Sequence, residues 1–201
     1  MIRIIDYGAG NLRSVEKALE FLGFEAEITS DSTKILKADK VILPGVGAFG
    51  DCMKSINDKG LSGCIHKVIE SGTPFLGICL GLQLLFESSE ESPEAKGLGI
   101  FEGEIKKIPH TDGLKIPHMG WNSIDYNPDC PIFKDLGSEP YVYFVHSFYM
   151  EPEDKSIISA TTEYGHTLPI SLHKDNVYAT QFHPEKSGNL GLKILKNFGS
   201  L

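Results

Sequence analysis

Short apolar runs alternate with amphipathic segments along the first half of the chain. Runs without helical spacing predict buried strands at residues 2–6, 24–29, 40–43 and 75–79. Between them, apolar residues recur every three or four positions and predict helices at residues 12–22, 51–56, 61–70 and 80–87. Strands that alternate with helices in this way are typical of an α/β fold with a mostly parallel central sheet flanked by helices.

The pattern changes from residue 99 to about residue 174. Strand-like segments such as residues 103–108 and 141–145 recur there without long helices between them. They predict an antiparallel excursion attached to the parallel sheet, which a strand at 177–182 and a last helix at 190–198 close. The polar residues 88–97 predict a solvated loop, and residues 117–122 predict another loop. Because no linker separates the excursion, we expect residues 1–201 to form a single domain.

The overall composition limits the classes of function. The 201 residues are 41% hydrophobic and 23% charged, and no apolar run approaches the roughly 20 residues of a membrane span. Residues 1–5 already predict a strand rather than a presequence, so we expect a cytoplasmic protein. A formal net charge of −8 argues against nucleic acid as a partner. The four cysteines have no CxxC spacing, so we expect neither a metal site nor a disulfide framework. We also expect no cofactor.

Cys79 is the first candidate for chemistry, because it lies where the strand at 75–79 meets helix-forming residues. Gly77 and Gly81 flank it at two residues on each side, which gives Gly-x-Cys-x-Gly, the thiol counterpart of the Gly-x-Ser-x-Gly nucleophile elbow. The first turn of a helix also favours a thiolate through its unpaired N–H groups. The alternative is that Cys79 is only a small buried hydrophobe.

His183 and Glu185 are the candidate partners of that thiol. His183 follows the strand-like run 177–182, at the sheet edge where open α/β folds place their chemistry, and Pro184 stiffens the segment up to Glu185. A cysteine nucleophile needs a base, and the base needs an orienting group. Cys79, His183 and Glu185 can supply these three roles, whereas His183 alone could equally be a surface histidine beside a charged turn.

These motifs carry a resemblance to a known family. Residues 77–83 (GICLGLQ) and 183–185 (HPE) look like the signature pair of class I (triad) glutamine amidotransferases. Within that family, four further stretches resemble the glutaminase subunit of imidazole glycerol phosphate synthase, namely residues 6–11 (DYGAGN), 44–49 (PGVGAF), 117–122 (PHMGWN) and 143–148 (YFVHSF). The resemblance runs from the first strand to the last helix, and it implies a flavodoxin-like α/β fold.

The resemblance implies a glutaminase that works with a second polypeptide. Glutamine would be hydrolysed to glutamate and ammonia through the Cys-His-Glu triad. The ammonia would pass to a cyclase subunit with a (β/α)8 barrel, which makes imidazole glycerol phosphate and AICAR in histidine biosynthesis, within a heterodimer. Because 201 residues are too few for a glutaminase plus a synthetase domain, we expect the ammonia to be used on another chain.

The resemblance also assigns roles to residues outside the triad. It implies an oxyanion hole of backbone N–H groups from the segment that holds Val46 and Gly47, together with Leu80. The residues alone favour an ordinary tight turn there. It further implies that the bound glutamine is bordered by four residues: Gln83, His146, Ser147 and Phe148. His146 could equally be a core histidine, and related subunits often have Tyr in place of Phe148.

A partner surface and several alternatives complete the expectations. The resemblance places Asn11, Met119 and Trp121 at the face toward the synthase, with Asn11 outside the triad, although core packing is the commonest use of a tryptophan. One alternative within the same fold is the glutaminase of pyridoxal phosphate synthase or a γ-glutamyl hydrolase. An alternative of another class is a non-catalytic interaction subunit.

Overall fold

Strands and helices alternate up to residue 83, and strands predominate from there to residue 180. The computed structural model describes residues 1–138 and 140–201. The helices are α1 (Leu12–Phe21), α2 (Ser32–Ile35), α3 (Phe49–Asp58), α4 (Ser62–Glu70), α5 (Leu80–Gln83) and α6 (Gly188–Gly199). The strands are β1 (Ile2–Ile5), β2 (Ala26–Thr29), β3 (Lys40–Gly45), β4 (Phe75–Cys79), β5 (Phe86–Ser89), β6 (Phe101–Lys107), β7 (His118–Ser123), β8 (Asp125–Tyr126), β9 (Tyr141–His146), β10 (Phe148–Pro152), β11 (Ile158–Glu163), β12 (Thr167–Lys174) and β13 (Val177–Thr180).

The central sheet confirms the predicted α/β fold. Its strand order is β2-β1-β3-β4-β13-β12-β11-β8. The first five strands pair in parallel, in the order that flavodoxin-like folds use, and β12, β11 and β8 continue the sheet in antiparallel pairing. Because β4 and β13 are parallel neighbours, the residues that follow their carboxyl ends meet at one edge of the sheet.

Both faces of this sheet are buried, which explains why its strands are continuous apolar runs. Ile4 and Ile42 pack on the side that α1 and α6 cover, whereas Ile5 and Leu43 pack on the side of α3 and α4. Every residue of β4 is buried. A strand without a solvent face has no polar alternation, so the unbroken run 75–79 is the pattern expected of it.

The predicted antiparallel excursion is confirmed, and it has three parts. Besides the strands added to the central sheet, β5, β6 and β10 form a second sheet, and β7 pairs with β9 as a two-stranded ribbon. The prediction of a loop at residues 117–122 is wrong, because residues 118–122 belong to β7. Gly120 lies within β7 at a φ of 123°, so the glycine that suggested a loop is accommodated inside a strand.

Two predictions around residue 87 are also wrong. The helix predicted at 80–87 ends at Gln83, and Phe86 already begins β5. The pattern was ambiguous because residues 80–86 are all buried, so their spacing shows no helical face. The predicted solvated loop at 88–97 likewise begins inside β5, since Ser88 and Ser89 are strand residues. Among the helices of the described residues, none has the length and hydropathy to cross a membrane.

Candidate active site

Cys79 is the last residue of β4 and lies on a sharp turn into α5. Its φ of 56° and ψ of −110° are unusual for a residue with a side chain and store about 1–3 kcal/mol of strain. The flanking glycines make this turn possible. A Cβ on Gly81 would overlap the carbonyl oxygen of Leu43, and a Cβ on Gly77 would lie 2.8 Å from the carbonyl oxygen of Gly81. The elbow predicted from Gly-x-Cys-x-Gly is therefore confirmed as a backbone geometry.

His183 and Glu185 lie just beyond the end of β13, next to the end of β4. Nδ1 of His183 is 2.9 Å from Oε1 of Glu185, and their side chains are only 2% and 0% exposed. Burial lowers the pKa of His183, but Cys79 and then Glu185 outweigh it and raise that pKa to about 9. The structure thus places thiol, imidazole and carboxylate in one cluster, in the order that nucleophilic catalysis uses.

The backbone around His183 is held by a neighbouring strand. The His183 N–H donates to the carbonyl oxygen of Tyr143 in β9 at 3.1 Å. The Ser187 hydroxyl donates to the carbonyl oxygen of His183 at 2.7 Å and accepts from the Tyr143 N–H at 3.0 Å. The backbone of His183 is therefore held through both its N–H group and its carbonyl group.

A cavity of about 310 Å³ opens beside Cys79. This volume is at the small end of the range for small-molecule sites. Its lining includes every residue predicted for the oxyanion hole and for glutamine binding, namely Val46, Gly47, Leu80, Gln83, His146, Ser147 and Phe148. The structure brings these residues together around the thiol, and their individual roles stay predictions.

The Val46–Gly47 segment has the backbone properties that an oxyanion hole requires. Gly45 pairs with Cys79 in the β3–β4 register, so the segment begins directly beside the nucleophile. Gly47 has a φ of 106°. Among the described residues, the N–H groups of Val46 and Gly47 have no hydrogen-bond acceptor. Their N–H groups are therefore free to bind a ligand oxygen.

Two cavity residues were missed in the sequence. The Gln181 amide donates to Sγ of Cys79 at 3.7 Å and accepts from Gln83 at 3.0 Å, so it links the nucleophile to a predicted substrate residue. Glu91 also lines the cavity, and its carboxylate accepts from the Phe49 N–H at 2.7 Å. The only sequence signal for Gln181 was that a polar residue stands two positions before His183. Glu91 was overlooked because it belongs to an acidic run that was predicted to be a solvated loop.

The three predicted interface residues lie outside the cavity. Met119 and Trp121 are 62% and 57% exposed on β7, so the core-packing alternative for Trp121 is wrong. Asn11 is the N-cap residue of α1, but its side chain caps no helix N–H. Instead, its amide donates to Oε1 of Glu185 at 3.2 Å. Asn11 is thus not one of the three side chains of the cluster, as expected, but it contacts the carboxylate of that cluster.

The four cysteines do not form a metal or disulfide site in the described part of the chain. All four are buried and free. Within residues 1–138 and 140–201, no group of three or more His, Cys, Asp or Glu side chains is placed to hold a metal ion.

The chain and its fold are similar to known proteins. A family model described as glutamine amidotransferase class-I matches residues 3–200. A crystal structure described as a glutamine amidotransferase is similar over 100% of both chains, with a TM-score of 0.77 at 20% identity. At that identity the likeness concerns the fold alone.

Relatives of much higher identity define the family more narrowly. The imidazole glycerol phosphate synthase subunit HisH 1 of Methanococcus maripaludis is 54% identical over 205 residues, with 100% of both chains covered. Subunit HisH of Methanocaldococcus jannaschii is 50% identical over 201 residues, again with 100% of both chains covered. The chain belongs to the class-I glutamine amidotransferases and, within them, to the family of the imidazole glycerol phosphate synthase subunit HisH.

Proposed function

We propose that this protein is the glutaminase subunit of an imidazole glycerol phosphate synthase. It hydrolyses glutamine to glutamate and ammonia and delivers the ammonia to a cyclase partner, which makes imidazole glycerol phosphate and AICAR in histidine biosynthesis. The observation that carries the proposal is the buried His183–Glu185 pair beside Cys79, at the edge where β4 and β13 end. The names of the full-length relatives support the choice of synthase.

The reaction follows from the order of the three side chains. Sγ of Cys79 attacks the side-chain carbonyl carbon of glutamine as its proton passes to His183, whose raised pKa of about 9 favours the imidazolium. His183 then gives the proton to the leaving nitrogen, so the C–N bond breaks and ammonia departs. Water, deprotonated by His183, cleaves the γ-glutamyl thioester to glutamate and returns the thiol.

Backbone N–H groups stabilise the charge that develops on the glutamine oxygen. We assign this role to the segment of Val46 and Gly47 and to Leu80, because all three line the cavity beside Cys79. Glu185 accepts the Nδ1–H of His183, which leaves Nε2 to exchange protons with the substrate.

The remaining cavity residues supply groups for the amino-acid end of glutamine. Gln83 offers an amide, and Ser147 offers a hydroxyl and backbone groups, while His146 and Phe148 form the wall behind them. We assign the α-ammonium ion to the Glu91 carboxylate, because it is the one acidic group among the described residues that line the cavity. Phe148 provides no hydroxyl, so any contact there is apolar or through its backbone.

The cyclase is the partner that we assign to the β7–β9 ribbon. Met119 and Trp121 of β7 expose apolar side chains, and Tyr141 of β9 in the same ribbon is also exposed. Exposed apolar residues of this kind suit a protein interface. Asn11, the third residue that the resemblance assigns to the interface, contacts Glu185. We therefore propose that the protein forms a heterodimer with a (β/α)8-barrel cyclase. We also propose that residues 1–201 form a single domain and that the protein is cytoplasmic.

A reconstituted complex tests the proposal. The chain and a (β/α)8-barrel cyclase should copurify, and the complex should form the cyclised product with glutamine as the nitrogen source. Cys79→Ala should abolish glutamine-dependent synthesis but keep synthesis from free ammonia, because the acceptor chemistry belongs to the cyclase. Full glutamine-dependent activity of the Cys79→Ala protein would refute the assigned nucleophile.

The alternatives make different predictions in the same experiment. A non-catalytic interaction subunit would copurify with the cyclase without hydrolysing glutamine or reacting with a glutamine-analogue electrophile. The glutaminase of another synthase would hydrolyse glutamine without supporting the cyclase. The cluster of Cys79, His183 and Glu185 favours an active enzyme, and the identity to HisH proteins favours the cyclase partner.

A further inference from the structure

Two buried histidines face each other behind the wall of the candidate cavity. His118 of β7 and His146 of β9 are paired in the ribbon register, and Nδ1 of His118 is 2.9 Å from Nε2 of His146. His146 lines the cavity, whereas His118 is not among its lining residues. Burial lowers the pKa of both rings, to about 4 for His118 and about 3 for His146, so both are neutral at pH 7.

The hydrogen bonds of this pair permit only one assignment of tautomers. Nδ1 of His146 is 2.9 Å from the carbonyl oxygen of Phe148, which can only accept, so that nitrogen carries the hydrogen. Nε2 of the neutral His146 is then an acceptor, and Nδ1 of His118 must donate to it. Nε2 of His118 in turn accepts, and it faces the Asn122 amide at 3.4 Å.

The same chain of hydrogen bonds continues to the nucleophile. The Phe148 carbonyl oxygen also accepts from the Gln83 amide at 3.3 Å. Gln83 donates to Gln181 at 3.0 Å, and Gln181 donates to Sγ of Cys79 at 3.7 Å. The Phe148 carbonyl oxygen is therefore the point at which the histidine pair meets the residues that contact Cys79.

We propose that His118 is a positioning residue for glutamine binding: by donating to His146 it fixes the tautomer that holds the Phe148 carbonyl and, through it, Gln83. The proposal rests on the proposed function, because it assumes that the cavity binds glutamine. His118 acts through His146 rather than on the substrate. A purely structural role is the competing explanation, since the His118 ring stacks between Phe144 at 4.6 Å and Tyr164 at 4.0 Å.

Nitrogen NMR of the wild-type chain tests the tautomers directly. In ¹⁵N-histidine-labelled protein at pH 7, His146 should be neutral with its hydrogen on Nδ1, and His118 should show the same tautomer. Either an Nε2–H tautomer or an imidazolium at His146 would overturn the proposal. This measurement needs neither the cyclase nor glutamine, so it remains decisive even if the wild-type complex hydrolyses no glutamine and the proposed function fails.

Kinetics of matched variants in the cyclase complex test the consequence for binding. His118→Phe keeps the aromatic stack but removes the donor, and we expect it to raise the KM for glutamine about 3- to 10-fold with a smaller change in kcat. His118→Asn places an amide N–H close to the position of Nδ1 and should restore most of the affinity. Tyr164→Phe keeps the ring and loses only the hydroxyl that donates to Lys115, so it should retain the wild-type KM.

The outcomes separate positioning from packing. In His118→Phe, the His146 resonances should report a mixture of tautomers together with the raised KM. An unchanged KM in His118→Phe would overturn the proposal, as would a KM in His118→Asn as high as in His118→Phe. If His118→Phe fails to fold, the wild-type tautomer and the KM of the folded His118→Asn complex decide the matter.

Discussion

The Asn11 side chain donates to Oε1 of Glu185 at 3.2 Å, so the N-cap residue of α1 contacts the carboxylate that orients His183. The same oxygen also accepts from Nδ1 of His183 at 2.9 Å. The Oδ1 atom of Asn11 accepts from the Ser14 hydroxyl at 2.8 Å, which fixes the amide with its nitrogen toward Glu185. A residue predicted to serve only the partner interface is thus also a neighbour of the triad.

We expect Asn11→Ala to lower kcat about 10-fold at saturating cyclase, because a hydrogen bond to a buried carboxylate is lost. Asn11→Asp should lower it further, since a second carboxylate would repel Glu185. Glu20→Ala, at an exposed position of the same helix, leaves the Asn11 amide and its Ser14 contact in place and serves as the matched control. Equal kcat values for Asn11→Asp and the wild type at saturating cyclase would contradict a role at Glu185.

The raised pKa of His183 makes part of the stability depend on pH. Its pKa rises from 6.5 to about 9 on folding, so protonated His183 stabilises the fold fully below pH 6.5 and this contribution is lost as pH rises through 9. The contribution is on the order of 3 kcal/mol. In urea titrations, the wild type should have a higher free energy of unfolding than His183→Gln at pH 6. This difference should shrink by about 3 kcal/mol between pH 6 and pH 9.5.

Cys79→Ala is the control for this pH effect. Cys79 is the largest of the influences that raise the pKa of His183, so its removal should reduce the pH dependence while His183 is still present. If the unfolding free energies of wild type and His183→Gln followed parallel curves from pH 6 to pH 9.5, the coupling between His183 and the cluster would be refuted.

The Val46–Gly47 segment predicts that the glutaminase is switched on by the cyclase. A glycine at a φ of 106° permits a peptide to turn its N–H away from the oxyanion and back at little steric cost. Losing one oxyanion donor costs about 10²- to 10³-fold in turnover. Turnover should therefore be very low in the isolated chain and rise in the complex with nucleotide ligand, and equal rates would exclude the switch.

Gly47→Ala tests the backbone requirement in the same assay. An added Cβ at Gly47 meets no atom within 4 Å, so the fold should survive, but the φ of 106° is strained for alanine. We expect turnover in the complex to fall about 10²-fold or more, because alanine restricts the backbone freedom by which this peptide turns its N–H toward the oxyanion. Gly63→Ala, in α4 and also with open space, should behave like the wild type.

Trp121 should be a main anchor of the cyclase interface. We expect Trp121→Ala to raise the Kd of the complex about 30-fold or more, because buried aromatic residues at interface centres contribute about 2 kcal/mol or more. Phe21→Ala is the matched control, since Phe21 is 78% exposed on α1. Calorimetric titration with the cyclase measures both, and equal Kd values for the two variants would refute the assigned surface.

The parallel part of the fold and the nucleophile elbow could be predicted from the residues alone. Buried strands such as residues 75–79 and one-sided helices such as 12–22 carry distinct periodicities, so both were predicted correctly within a few residues. Gly77 and Gly81 were also informative, because only glycine tolerates the close approach of Leu43 and of the following turn. Local steric requirements of this kind can be recognised from the residue types at neighbouring positions.

The sequence-based prediction was wrong where complete burial or strand pairing left no alternation of apolar and polar residues to identify the element. Residues 80–86 are buried on all sides, so their spacing could not reveal that the helix stops at Gln83. Residues 118–122 contain Gly120, which suggested a loop, but hydrogen bonds to β9 hold them as a strand. Pairing with a segment more than 20 residues away is not visible in local periodicity.

The contacts between distant polar side chains could not be predicted, because they arise from long-range packing. Asn11 and Glu185 are 174 positions apart, Gln181 and Cys79 are 102 apart, and His118 and His146 are 28 apart. Each of these contacts depends on which strands are neighbours and in what register they pair. The residue types and short spacings of the chain indicated the chemistry, but the partners that orient it are set by long-range packing, which no local pattern encodes.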